Sequence, residues 1–289
     1  MTPSEYEFLR KFLKERSGLD LSAEKQYLVE SRLIPLARKE GLAGISELVQ
    51  KIRSGSEVAD EVVEAMTTNE TYFFRDKTPF EHFRDTILPA LLQARAGRRS
   101  LRIWCAASST GQEPYSIAMC LKEFGAALAD WRVEILATDI SQGVLEKSRA
   151  GIFSQFEVQR GLPIQLLIKY FKQVGEWWQL NPDIRAMVQH RQLNLLDDFA
   201  GLGKFDVIFC RNVLIYFDQS TKTGVFNRIA RAMDADSFLV LGAAESMVGM
   251  TDALKPYPDR RGLYCLNSAS STRSVPIMPA ALKVVSLAR

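Results

Sequence analysis

The sequence predicts an α/β protein in which a parallel sheet, covered by helices on both faces, follows an all-helical N-terminal unit. Three observations support this class. Residues 1–66 show helical patterns but no strand pattern, and from Leu101 onward apolar strand-like runs alternate with helical segments. The chain has 289 residues and is 47% hydrophobic, which is enough to bury a large core.

The N-terminal unit carries helix start and stop signals. Residues 2–5 (TPSE) form a capping box with proline at the first helical position, and Gly18 and Gly41 are helix stops. These signals predict helices over 4–16 and 22–40, with shorter helices after them.

Strands and helices alternate in the following domain. The strand-like runs are LRIWCA, VEILATD, FDVIFCRN and FLVLGA, beginning at residues 101, 133, 205 and 238. Helices are predicted at 78–95, 113–124, 141–149 and 219–233. This rhythm indicates a doubly wound sheet, whose ligands bind beyond the carboxyl ends of its strands.

Two segments depart from this rhythm. Residues 151–193 contain short mixed elements and are predicted to be an insertion within a domain that spans 67–266. Residues 267–289 are rich in serine and contain Pro276 and Pro279, so a flexible tail is predicted there.

Composition argues against several classes of protein. The net charge of +3 is too small to indicate nucleic acid or an anionic membrane as a partner. Since no run of about 20 apolar residues occurs, no membrane-spanning helix is expected. The chain has only two histidines, and its four cysteines lack C-x-x-C spacing. We therefore expect that it binds no metal and that its thiols are reduced, as in a cytoplasmic protein.

The turn after the first strand is built from small residues. Residues 106–111 are AASSTG in place of G-x-G-x-x-G, and Glu113 follows in the first turn of the next helix. Small residues let a ligand approach the backbone, but a carboxylate there repels a pyrophosphate and attracts a cation. The turn therefore favours S-adenosyl-L-methionine, an adenosine derivative that carries a sulfonium and an ammonium group and no phosphate.

A second acidic residue, Asp139, ends the next strand, where a carboxylate can accept hydrogen bonds from both ribose hydroxyls. Each acid also has a structural interpretation. Glu113 would complete a capping box with Thr110, and Asp139 would cap the helix predicted at 141. Because both acids lie in one βαβ unit, we favour the cofactor interpretation.

Two further stretches place polar groups near the same edge. Residues 205–218 (FDVIFCRNVLIYFD) form an apolar strand followed by Asn212 and Tyr216, at the position of a substrate or methyl group. Residues 67–76 (TTNETYFFRD) contain two phenylalanines that we assign to the core. They are followed by Arg75, whose guanidinium needs a partner carboxylate if it is buried.

Taken together, these motifs resemble the chemotaxis receptor glutamate O-methyltransferase family (CheR). The resemblance runs from about residue 5 to residue 266 and rests on NETYFFRD, AASSTGQEPYSIA, ATDIS and CRNVLIYFD in this order. It implies a helical N-terminal substrate-recognition domain, a Rossmann-like S-adenosylmethionine-dependent methyltransferase sheet and a small inserted β-subdomain at about 151–193. It also implies methyl transfer to glutamate side chains in the cytoplasmic helical region of chemoreceptors, with S-adenosyl-L-homocysteine as the product.

The resemblance also assigns site residues. The positions that match cofactor contacts are Asn69, Thr71, Arg75, Glu113, Asp139, Asn194, Leu195, Asn212 and Val213. Arg75 and Tyr216 match residues beside the transferred methyl group. Some members dock a receptor's C-terminal peptide on a glycine-containing loop of the β-subdomain; the matching stretch here, KQVGEWWQLNPD, is short and has one glycine, which argues against such a tether.

Methylation of a glutamate needs no general base, because a carboxyl with a reference pKa of about 4.3 is already ionised at neutral pH. We expect Arg75 to pair with the cofactor's carboxylate or to steer the incoming glutamate. Glu113 is expected to receive the cofactor's ammonium, and Tyr216 to hydrogen-bond near the acceptor.

A basic stripe on the second predicted helix suggests a docking surface. Lys25, Arg32 and Lys39 lie seven residues apart and therefore share one face. Acidic side chains of a coiled-coil receptor would complement this stripe, and an ordinary solvated helix face is the alternative.

Two other functions remain open at this point. A methyltransferase for a small molecule or nucleic acid would need an acceptor-site base or a strongly basic groove, and the sequence shows neither. A sensor or scaffold that binds the cofactor without transfer would need neither the stretch from Asn212 to Tyr216 nor Arg75. Nothing in the sequence requires more than a monomer.

Overall fold

Four helices form the N-terminal part of the chain in the computed structural model, which describes residues 1–267. They are α1 (Pro3–Ser17), α2 (Gln26–Lys39), α3 (Ile45–Arg53) and α4 (Val58–Met66). The predicted capping box begins α1, since the Thr2 hydroxyl accepts from the Glu5 N–H and the Glu5 carboxylate accepts from the Thr2 N–H. Gly18 ends this helix in the left-handed conformation, at φ +79°.

These helices enclose a core of their own. Leu9 and Leu13 of α1, Leu33 of α2 and Val62 of α4 are all fully buried in it. Each helix buries one apolar stripe because such residues recur every three or four positions. Ile140, which belongs to the following domain, packs against the edge of this core.

The second part of the chain is an α/β domain. Its helices are α5 (Thr78–His82), α6 (Leu88–Ala94), α7 (Gln112–Glu123), α8 (Gln142–Ala150), α9 (Gln155–Gln159), α10 (Ile164–Tyr170), α11 (Pro182–Arg185) and α12 (Gln219–Ala232). Its strands are β1 (Ser100–Ala106), β2 (Arg132–Asp139), β3 (Ile152–Ser154), β4 (Phe171–Val174), β5 (Trp177–Leu180), β6 (Val188–Gln192), β7 (Phe205–Cys210), β8 (Met233–Leu241), β9 (Leu254–Pro256) and β10 (Leu263–Leu266).

Seven of these strands form one sheet in the order β6-β2-β1-β7-β8-β10-β9. The first five run parallel, and the last two pairings are antiparallel. Adjacent residues on the central strands enter different cores, Trp104 and Ile208 on one face and Cys105 and Phe209 on the other. The predicted fold class, a Rossmann-like sheet covered on both faces after a helical unit, is confirmed.

The insertion is shorter than the predicted 151–193. Strands β3, β5 and β4 form a small antiparallel sheet, but β6 pairs in parallel with β2, Ile135 opposite Val188, and belongs to the main sheet. The sequence of β6, VQHRQ, lacks a continuous apolar run because it is an edge strand and buries only Val188. The small sheet therefore occupies 152–180.

Three further sequence expectations concern the tail, membrane-spanning helices and metal ligands. Of the predicted flexible tail, 267–289, only Asn267 belongs to the described residues. In residues 1–267, no helix combines the length and the apolar character needed to cross a bilayer, and no cluster of three ligating side chains could hold a metal ion.

The helical unit lies against the carboxyl ends of the sheet strands. Glu64 of α4 accepts hydrogen bonds from the Ser141 hydroxyl at 2.7 Å and from the Gly143 N–H at 3.1 Å, directly after β2. On the other side, the Asp20 N–H donates to the Tyr216 carbonyl at 2.9 Å. These contacts fix the helical unit over the edge where an α/β sheet binds its ligands.

Candidate active site

A pocket lies between the helical unit and the carboxyl ends of β1, β2 and β7. Segments of both units form its wall, including 66–71, 107–109, 193–195, 211–213 and 216–217. All ten residues that the sequence assigned to cofactor or methyl group line it: Asn69, Thr71, Arg75, Glu113, Asp139, Asn194, Leu195, Asn212, Val213 and Tyr216. The structure thus brings together residues from five separate stretches of the chain.

The pocket wall contains several non-glycine residues in the left-handed conformation. Ala107, Ser109 and Asn212 have φ values of +56°, +51° and +59°. Such backbone costs about 1–3 kcal/mol per residue and persists only where surrounding contacts enforce it. Its concentration at this sheet edge is typical of a functional site.

Asp139 ties the first two loops of the sheet together. Its carboxylate accepts from the Ser109 N–H at 2.9 Å and from the Ser141 N–H at 3.0 Å. Burial raises the pKa of Asp139, and these two backbone donors oppose the rise. Ser141, not Asp139, caps α8 by accepting from the Val144 N–H, so the capping interpretation of Asp139 is wrong.

The capping interpretation of Glu113 is also wrong. Gly111 is the N-cap of α7 and makes no side-chain capping bond, while the Thr110 hydroxyl bonds to Gln112. Glu113 is buried, and its carboxylate contacts the Arg211 guanidinium at 2.7 Å. Burial raises the pKa of Glu113, and the neighbouring Arg211 charge opposes the rise.

The buried guanidinium of the site belongs to Arg211 rather than Arg75. The Arg75 side chain is half-buried and donates to the Glu70 carbonyl at 2.6 Å, with no carboxylate partner among the described residues. The Arg211 side chain is 2% exposed and also pairs with Asp76 at 2.8 Å. Arg211 is buried because it directly follows β7, whose residues are all buried.

The loop that carries Asn212 and Val213 is held by Glu245. This carboxylate accepts four backbone hydrogen bonds, from the N–H groups of Asn212, Val213, Leu214 and Gly242, at 2.8–3.0 Å. Such an arrangement fixes the backbone of the loop by charge-assisted bonds.

Sequence reasoning missed Arg211 and Glu245. The available signal was a charged residue next to a mainly apolar strand, as with Arg211 after FDVIFC and with Glu245 shortly after FLVLGA. A charge at such a position has to be exposed or paired.

Other predicted residues reach the pocket through contacts with the helical unit. The Asn194 side chain donates to the Arg16 carbonyl at 2.6 Å and accepts from the Leu196 N–H at 3.0 Å. Tyr216 lies in a one-turn 3₁₀ segment, Leu214–Tyr216, and lines the pocket.

Two of the three side chains in the predicted basic stripe already have partners within the chain, which was not expected. Arg32 donates to the carbonyls of Met66 and Thr67 at 2.6 and 2.9 Å, so it holds the segment that begins the pocket wall. Lys39 pairs with Glu61 at 2.7 Å. Lys25 alone of the three is exposed without a carboxylate partner in residues 1–267, and none of the three lines the pocket.

Comparison with known proteins gives matches along nearly the whole described chain. Residues 4–67 match the family model described as "CheR methyltransferase, all-alpha domain", and residues 69–263 match "CheR methyltransferase, SAM binding domain". A chemotaxis protein methyltransferase 1 of Pseudomonas aeruginosa is 43% identical over 86% of this chain and 92% of that protein. Chemotaxis protein methyltransferases of Vibrio parahaemolyticus and Borreliella burgdorferi are 42% and 37% identical, over 87% and 86% of this chain and 92% and 90% of their own length.

Proposed function

The chain belongs to the CheR methyltransferase family, and on that premise we propose that it transfers the methyl group of S-adenosyl-L-methionine to glutamate side chains of chemoreceptors. The products are glutamate methyl esters and S-adenosyl-L-homocysteine. The observation that carries the proposal is the gathering of all ten predicted residues in one pocket at the edge of the sheet.

The chemistry of the pocket fits this methyl donor. Asp139 at the end of β2 has acceptor capacity for ribose hydroxyls beyond the two backbone bonds that it already accepts. The small residues Ala107, Ser108 and Ser109 leave the backbone accessible to an adenosine, and Glu113 supplies negative charge for a cationic ligand. When bound, S-adenosylmethionine supplies a methyl group that its positive sulfonium makes reactive.

The protein's own residues contribute orientation, charge and exclusion of water. The acceptor glutamate is ionised at neutral pH, so the site has no need of a base, and the pocket has no histidine in its wall. Holding reacting atoms in line can lower a barrier by about 7–11 kcal/mol. We assign the alignment of the acceptor to Arg75 and Tyr216, which both line the pocket.

Methyl transfer is tested by incubating the protein with radiolabelled S-adenosylmethionine and a chemoreceptor cytoplasmic fragment, followed by alkali. Glutamate methyl esters release volatile methanol, which is the expected result. Alkali-stable label would indicate methylation of nitrogen. Binding of the donor without any label on the fragment would indicate a sensor or scaffold.

The docking of the receptor is a separate part of the proposal. Lys25 and the neighbouring Tyr27, which is 64% exposed, present a cation and an aromatic ring at the start of α2. We assign them to contact with acidic receptor helices, since Arg32 and Lys39 already have partners within the chain.

We also propose that the protein acts in the cytoplasm as a monomer and without a receptor tether. The β4–β5 hairpin turn consists of only two residues, Gly175 and Glu176, and offers little surface for a docked peptide. Receptor fragments with and without their C-terminal tails should therefore be methylated at equal rates. A rate that falls on removal of the tail would contradict tether-independence while leaving the methyl transfer intact.

A further inference from the structure

The Arg211 guanidinium connects two parts of the active site that are far apart in the chain. Its Nη1 contacts the Glu113 carboxylate at 2.7 Å at the start of α7. Its Nη2 donates to the Arg75 carbonyl and to the Asp76 carboxylate, both at 2.8 Å. With 2% of its side chain exposed, Arg211 has two fixed anchors and little freedom to move.

We propose that Arg211 is a positioning residue for the methyl donor, which fixes the Glu113 carboxylate so that it can bind the donor's ammonium group. This inference rests on the proposed function, because it assigns a partner for that ammonium. Arg211 acts through Glu113, and its bonds to the Arg75 carbonyl and to the Asp76 carboxylate hold the guanidinium in place.

Electrostatics explain why Glu113 needs this partner. Glu113 is buried, and an isolated buried carboxylate takes up a proton because its charged form loses hydration. A neutral carboxyl would lose its attraction for an ammonium. Removing a cation in direct contact raises the pKa of a buried carboxyl further, which favours its neutral form.

The other groups around Glu113 do not replace this charge. They come from β1, the end of β7, the loop after α4 and the loop after β8: Cys105, Cys210, Arg75, Asp76 and Glu245. Burial raises the pKa of both thiols well above its ordinary value, so they stay neutral. Asp76 and Glu245 are acidic. The Arg75 charge also acts to lower the pKa of Glu113, but among the described residues only Arg211 forms a salt bridge with it.

The test is the affinity for S-adenosylmethionine, measured by titration calorimetry at pH 6.0 and pH 7.5. We expect the wild-type affinity to change little between these values. Arg211→Gln should weaken binding at least ten-fold at pH 7.5 and about five-fold more at pH 6.0, because Glu113 becomes protonated as the pH falls. Arg211→Lys keeps a cation and should stay within about three-fold of wild type at both values.

A double-mutant cycle separates this role from a structural one. Glu113→Gln should bind weakly and equally at both pH values, and adding Arg211→Gln to it should cost less than a further three-fold. Equal losses in both backgrounds, or a pH-independent loss in Arg211→Gln, would overturn the inference. If Arg211→Gln does not unfold cooperatively, the Arg211→Lys variant decides the question. A ten-fold loss of its affinity for S-adenosylmethionine at both pH values would contradict the inference. A wild-type protein that binds no S-adenosylmethionine would instead contradict the proposed function.

Discussion

Asp139 illustrates how one side chain serves both the ligand and the local structure. Its carboxylate holds the backbones of Ser109 and Ser141, which follow two neighbouring strands, and it also lines the pocket. Deleting it removes a ligand contact and leaves two buried N–H groups without their partner.

Replacing Asp139 by Ala should therefore weaken S-adenosylmethionine binding by about 1.5–3 kcal/mol and lower the melting temperature as well. Calorimetric titration and thermal unfolding measure the two effects. Asp130→Ala is the control, since Asp130 is an exposed residue ahead of β2 whose Arg99 contact is 3.4 Å long. An unchanged affinity in Asp139→Ala would remove Asp139 from the site.

The residues of the basic stripe should separate into two classes when their charges are reversed. Lys25→Glu should slow receptor methylation without changing the cofactor affinity, because Lys25 lies outside the pocket. Arg32→Glu should weaken cofactor binding, because Arg32 holds Met66 and Thr67 in the pocket wall. Lys11→Glu, on the exposed face of α1, is the control for charge alone.

Initial rates of receptor methylation and dissociation constants for S-adenosylmethionine, measured for each variant, check these predictions. Equal behaviour of Lys25→Glu and Lys11→Glu would remove Lys25 from the docking surface. An unaltered dissociation constant in Arg32→Glu would show that its hydrogen bonds to the pocket wall are dispensable.

Among the elements, the loop after β7 depends on a single side chain. Glu245→Gln replaces one acceptor oxygen by an NH₂ group that faces backbone donors, so part of its four-bond set is lost. We expect the unfolding free energy to fall by about 2–3 kcal/mol in denaturant titration. Glu146→Gln, at an exposed position of α8, should change it by no more than about 0.5 kcal/mol.

At Gly161 the insertion lies close against residues 69–75, called here the cofactor loop because they include the predicted cofactor contacts Asn69, Thr71 and Arg75. A Cβ at this position would lie 2.1 Å from the Phe73 carbonyl oxygen, whereas at Gly175 it would meet no atom of the described residues within 4 Å. Both glycines have positive φ, +83° and +61°, so the two Ala variants share a similar backbone strain of about 1–2 kcal/mol.

Gly161→Ala should therefore lower the unfolding free energy by about 1–3 kcal/mol more than Gly175→Ala does, because the clash is with backbone and cannot be relieved by a side-chain rotation. It should also weaken cofactor binding, since Phe73 lies between Thr71 and Arg75 in the chain. Equal stabilities of the two variants would mean that the insertion can shift away from the cofactor loop without cost.

The elements also show what a sequence can and cannot predict. Apolar runs and capping signals predicted strands β1, β2, β7 and β8 and the helices around them. Local motifs indicated Glu113 and Asp139, whereas the full set of ten pocket residues came from the resemblance to the CheR family. The Arg211–Glu113 pair joins residues 98 positions apart, and no local pattern specifies such a contact. The edge strand β6 was missed because only one of its five residues is buried and the polar remainder hides its strand pattern.

At the scale of the whole molecule, the pocket is shared between two units that each have their own core. Ser17, the last residue of α1, and Leu19 form part of its wall, and the Asp20 N–H donates to the Tyr216 carbonyl. A ligand that fills the pocket contacts both units and stabilises the arrangement that it binds. The helical unit should thus respond to the methyl donor even though the predicted donor contacts all lie after residue 66.

Hydrogen exchange tests this coupling directly. Saturating S-adenosylmethionine should slow exchange of the Asp20 amide, because opening of its bond to Tyr216 requires the helical unit to move away from the filled pocket. The Gly55 amide, which bonds to Ile52 in the turn between α3 and α4, lies outside the pocket wall and should exchange at an unchanged rate. Protection confined to residues after 66 would mean that the helical unit serves the receptor alone and takes no part in holding the donor.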